Sequence, residues 1–120
     1  MENLENLPVD WYSIPEVSDY LQIPQREVRT MLKQHELIAV RGGDNFALRI
    51  PAQVLIFPTD GVPQIVAGLS GTLTLLSDLG FTDEEQVQWL ISDNLELGMS
   101  PLAALQAGQL HAVRRAALTA

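Results

Sequence analysis

The chain contains no cysteine, which excludes disulfides, thiolate nucleophiles and cysteine-ligated zinc. Long apolar runs are also missing. The longest span about four residues, such as Val54 to Phe57, against the ~20 a helix needs to cross a bilayer. The first residues, Met-Glu-Asn-Leu-Glu, offer neither a basic start nor an apolar stretch, so no secretory signal is read there and a cytoplasmic location is expected. Histidine occurs twice. His35 falls at an expected helix C-terminus, where it favours the dipole, and His111 has no carboxylate at ligand spacing. No Ser/His/Asp set, paired-carboxylate cleft or cofactor fingerprint stands out, so neither catalysis, nor a cofactor, nor a metal is expected.

Positive charge is scarce as well. Seven Lys and Arg stand against fifteen Asp and Glu, a net charge of −8, which at first sight argues against nucleic acid. The distribution changes that reading. Residues 1–21 hold five acids and no Lys or Arg, and residues 58–120 hold seven acids against Arg114 and Arg115. The window 22–57 holds Arg26, Arg29, Lys33, Arg41 and Arg49 against three acids. An acidic protein with one basic island can dock an anionic polymer on that island. Of 120 residues, 47% are apolar and 18% charged, as in a globular chain of one compact domain or two very small ones.

Ser13 and Glu16 form a capping-box pattern with Pro15 in the first turn, and Ile14, Val17 and Leu21 follow at helical steps, predicting a helix over about 14–21. Pro24 opens a second helix reaching His35, with Val28, Met31 and Leu32 on one side and Gln25, Arg26, Arg29, Thr30 and Lys33 on the other. Two short helices so joined describe a helix-turn-helix. Ile38 and Val40, then Phe46, Leu48 and Ile50, alternate with period two around Gly42-Gly43-Asp44-Asn45, which predicts a hairpin wing bearing Arg41 and Arg49. Pro51 ends the ladder and opens a short helix through Val54 and Leu55. Pro58, Gly61, Pro63 and Gly68 make 57–68 the most linker-like stretch. Helices are then expected over about 72–79, from a Thr82–Glu85 capping box through Ile91, from Ser100-Pro101 to Gly108, and over about 109–118. The fold class is mainly α: a winged helix-turn-helix with a small β-hairpin wing over 10–57, then a helical bundle over 69–118.

The basic face of the second helix is the most informative feature. Arg and Lys at three- and four-residue spacing suit a helix laid in a major groove, where they reach guanine edges or phosphates. Other features take plainer readings. Asp83, Glu84 and Glu85 complement a helix dipole. Gly68 to Thr72 has no following lysine and no preceding strand, and reads as a tight turn leading into a helix, not a phosphate cradle. Trp11, Phe81 and Trp89 read as packing residues.

These residues carry a resemblance. Trp11 through Pro51, with Glu16-Val17 in the first helix, Leu21-x-Ile23-Pro24 at the turn and Val28-Arg29 in the second helix, resembles the excisionase and MerR-like winged-helix group. The second half resembles the C-terminal domain of a family of small actinobacterial, mycobacterial-type DNA-binding regulatory proteins. It does so on Gly71 to Asp78, Gly80 to Glu85, Trp89-Leu90, Pro101 to Leu105 and Val113 to Arg115. The resemblance implies a DNA-binding transcriptional regulator that holds double-stranded DNA without cofactor or catalysis. Its DNA-facing candidates are Gln25, Arg26, Arg29, Thr30 and Lys33 on the second helix and Arg41 and Arg49 on the wing. The wing departs from that family in carrying Asp44 where Arg and Lys are commoner, which implies a modest affinity. The stretch WLISDNLELGMSPLAAL is faintly similar to the toxin-binding domain of certain antitoxins. The alternative it implies is a protein-interaction module, antitoxin-like or adaptor, acting through the acidic helical half.

Overall fold

Ser13 starts the first helix in the way its sequence requires. In the computed structural model, which describes residues 10–42 and 46–120, the Glu16 backbone N–H donates to Ser13 Oγ at 3.2 Å. The Glu16 carboxylate accepts from the Ser13 N–H at 3.0 Å. Helix α1 (Ile14–Leu21) then runs until Gln22, which takes a left-handed conformation at φ 58°. The Ile23 N–H returns to the Ser18 carbonyl at 3.1 Å, and Pro24 caps helix α2 (Gln25–Lys33) with an extended backbone. The expected pair of helices is present with nearly the expected bounds.

The wing is more than a hairpin. Strand β1 (Trp11–Tyr12) pairs antiparallel with β3 (Ala47–Pro51), which pairs antiparallel with β2 (Val40–Gly42), giving the order β1-β3-β2. Trp11, read as a packing residue, is therefore also a strand residue opposite Pro51. The strand was invisible to periodicity because two residues have no period. The Gly43-Asp44-Asn45 part of the turn and the acidic residues Glu2 and Glu5 lie outside the described residues. A single 3₁₀ turn (Ala52–Val54) follows β3, as Pro51 led one to expect.

Two expectations need correction. The stretch 57–68 is not simply a linker: it closes a second hairpin, with β4 (Leu55–Ile56) antiparallel to β5 (Gln64–Ile65) and the Val66 N–H donating to the Val54 carbonyl at 2.8 Å. Pro58, Gly61 and Pro63 mark its loop. Helix α3 (Leu69–Asp78) begins three residues earlier than its sequence suggested, so Gly68 to Thr72 is not a lead-in turn but a cap and first turn. No Ser or Thr side chain caps it. Gly68 does so by adopting φ 89°, and Thr72 Oγ1 donates back to the Gly68 carbonyl at 2.8 Å.

Helix α4 (Asp83–Ile91) carries the expected Thr82–Glu85 capping box, α5 (Pro101–Gln106) is capped by Ser100, and α6 (Leu110–Leu118) completes the described chain. One apolar core runs through both halves, joining Ile14, Val17, Val28 and Ile50 to Leu69, Leu73, Leu90 and Leu102. Helix α4 packs on β2 and α5 on the 3₁₀ turn. The Gln106 amide donates to the carbonyls of Gln53 (2.8 Å) and Leu55 (3.2 Å), which ties α5 to the first half. No helix among the described residues is long and apolar enough to cross a membrane.

Gly68 is the most constrained position of this join. A Cβ there would lie 2.6 Å from Leu110 Cδ2 and 3.1 Å from Leu105 Cδ2, in a backbone conformation that side chains disfavour. Gly68→Ala is expected to destabilise the protein by about 1–3 kcal/mol. Urea unfolding checks this, and an unchanged midpoint would contradict the packing described.

Candidate nucleic-acid interface

Helix α2 owes its orientation to its apolar side. Val28 is completely buried and Met31 and Leu32 are half-buried against the core. The five polar candidates fall in the remaining arc. At ~100° per residue, Gln25, Arg29, Lys33, Arg26 and Thr30 span about 140° of the helix circumference. All five are exposed. Gln25 opens the helix, where residues of a docked recognition helix meet bases first. Lys33 closes it, complementing the dipole.

Two of these side chains are not equally free. Thr30 Oγ1 donates to the Arg26 carbonyl at 3.0 Å, so its hydroxyl proton is spent on the helix and it presents its methyl group and lone pairs. Among the described residues the guanidinium groups of Arg26 and Arg29 and the Lys33 ammonium have no carboxylate partner. Three unpaired cations on one exposed face form a locally positive strip on a protein of net charge −8.

The wing residues are brought near one another but not onto one face. Register places Arg41 opposite Leu48 and Arg49 opposite Val40, and cross-strand partners share a face while strand neighbours alternate. Arg41 and Arg49 therefore project from opposite faces of the wing. Arg41 is exposed and donates through Nη1 to the Phe46 carbonyl at 3.1 Å. Arg49 is half-buried on the side of Val40.

The far end of α2 meets the second half of the chain. Leu32 and His35 share a cavity of about 100 Å³ with Leu37, Ile38, Ala39, Leu48 and Asp83. His35, left-handed at φ 60°, brings its Nδ1 to 3.5 Å from Ser77 Oγ, which also accepts from the buried Gln86 amide at 3.2 Å. This contact across 42 residues has no local signature and was not expected. No group of three or more metal-ligating side chains occurs among the described residues.

An antiparallel hairpin beside a two-helix turn, whose second helix turns its cations outward, defines a winged helix-turn-helix protein. The chain belongs to the Rv2175c family. The profile described as "DNA-binding protein Rv2175c, wHTH domain" matches residues 5–55, and that described as "Rv2175c C-terminal domain of unknown function" matches residues 66–120. The chain is similar to the DNA-binding protein Rv2175c of Mycobacterium tuberculosis (strain ATCC 25618 / H37Rv), at 31% identity over 118 residues, covering 88% of this chain and 77% of that protein. It is also similar to the NMR structure of Rv2175c, with a TM-score of 0.79 and 30% identity, covering 99% of this chain and 86% of that one.

Because Arg41 is anchored near the turn end of the wing by one exposed hydrogen bond, its removal should act locally. Arg41→Ala is expected to change global stability by no more than about 0.5 kcal/mol while speeding amide hydrogen exchange at Ala47 and Leu48. Unchanged exchange there would show that the wing does not need this bond.

Proposed function

We propose that this chain is a DNA-binding transcriptional regulator of the cytoplasm, without enzymatic activity, and that α2 and the wing are its double-stranded DNA surface. The single observation that carries the reading is the strip of cations on α2, unpaired among the described residues: Arg26, Arg29 and Lys33 are exposed while Val28 is buried beneath them. A helix fits the major groove, and guanidinium groups there pair with guanine O6 and N7 or with phosphates. Gln25 and Thr30 extend the same face toward bases, and Arg41 and Arg49 contact phosphates from either side of the wing. Residues 10–57 form the DNA-binding domain and 69–118 the helical domain that buttresses it.

The acidic remainder sets the terms of binding. Repulsion from the other surfaces opposes approach to a polyanion, so contacts must be concentrated on the strip, and affinity should fall steeply with salt. A second reading, a protein partner for the helical domain, is favoured by Leu95, fully exposed, and by Leu79 and Leu118, which are 45% and 58% exposed. A stoichiometric complex with a protein, recovered from native lysate without DNA, would favour it.

The roles of single cations separate by titration. Fluorescence anisotropy with duplex DNA across salt concentrations is expected to show Arg26→Ala or Arg29→Ala losing about 1–3 kcal/mol where the side chain reads a base. Lys33→Ala, acting on phosphate, should lower the salt slope by about 1 without changing sequence preference. All three variants binding as the wild type does would refute the proposed surface.

A further inference from the structure

Phe46 is placed in an unusual way. It stands immediately before β3, at the end of that strand opposite the one that pairs with β1. Four residue steps separate it from Ile50, about 13 Å along an extended strand. The residue is 68% exposed, and its backbone is left-handed at φ 51°, a conformation uncommon in any residue but glycine and unfavourable for a bulky one. Its carbonyl is gripped by the Arg41 guanidinium at 3.1 Å. A turn here could have used glycine or asparagine without strain. Instead the chain holds an exposed aromatic residue in a strained conformation, with its carbonyl bonded to the Arg41 guanidinium. Strain of this kind clusters at ligand clamps and other functional positions.

We propose that Phe46 is an apolar wedge for double-stranded DNA, entering the minor groove beside the major groove read by α2 and leaning on a base step. This rests on the DNA-binding reading above and adds to it a contact that charge alone does not supply. Phenylalanine is one of the side chains that lodge between base steps from the minor groove, partly unstacking them and kinking the duplex. The position suits that role. Phe46 lies one residue outside the paired part of the wing, which begins at Ala47, and the Arg41 hydrogen bond to its carbonyl ties down the backbone that carries the ring. The guanidinium of Arg41, exposed on the same wing, would pair with a flanking phosphate and complete the contact. Selectivity of this kind favours flexible pyrimidine–purine steps, whose deformation is least costly.

The test uses the full chain and a duplex that the wild type selects from a random library, with 2-aminopurine placed at successive steps. Wild type is expected to raise the fluorescence at one step, reporting an unstacked base. Phe46→Ala should abolish that rise and bind about tenfold more weakly, with the salt slope unchanged because the ring neutralises no phosphate. Phe46→Gly should bind as weakly as Phe46→Ala while melting, free of DNA, at or above the wild-type temperature, because glycine relieves the strained φ. That combination separates a lost contact from a damaged fold. Wild-type affinity in both variants would overturn the inference and leave the ring as a protein-contact residue. A lost affinity accompanied by a lower salt slope would overturn it too, since the wing would then act through charge. A wild type that selects no duplex at all would end both this inference and the DNA-binding reading, whereas failure in the variants alone ends only this one.

Discussion

The seating of Val28 is the constraint on which the rest depends. With this side chain fully buried beneath α2 and Met31 and Leu32 leaning on the same core, the rotation of the helix about its axis is fixed. Everything on the opposite arc must face outward. The basic strip is thus a consequence of burial: the apolar side determines where the charges point. The same core continues into the helical half through Leu69, Leu73 and Leu90, so the orientation of the exposed α2 face is held by the whole chain.

Charge then acts within that frame. A net charge of −8 would be an unfavourable starting point for a nucleic-acid partner if it were spread evenly. It is not: the described cations of α2 stand together and unpaired, while Asp83, Glu84 and Glu85 are taken up in the first turn of α4, where they complement the dipole. Specificity in such a protein must come from few contacts. The proposed apolar contact at the wing would complement what three cations on a short helix can read.

Much of this was legible in the sequence, and for local reasons. Capping boxes at Ser13–Glu16 and Thr82–Glu85 are contained within four residues each, and both form as expected. The amphipathic split of α2 follows from spacing alone. What escaped was set by distance along the chain. Strand β1 exists because β3 lies beside it, and β5 because β4 does; neither two-residue strand carries a pattern of its own. Gly68 resembled a loop glycine because a left-handed cap has no side-chain signal. At the site, the outward face of α2 was readable, but the opposed projections of Arg41 and Arg49 depend on the strand register. Phe46 looked like one more alternating strand residue, and only its φ and exposure set it apart.

The most direct test of the account is to map the surface that DNA touches. Titrating isotopically labelled protein with duplex DNA and following backbone amide resonances is expected to move those of residues 25–33 and of β2 and β3 most strongly, with α3 to α6 little changed. Shifts concentrated in residues 66–120, with α2 silent, would contradict it.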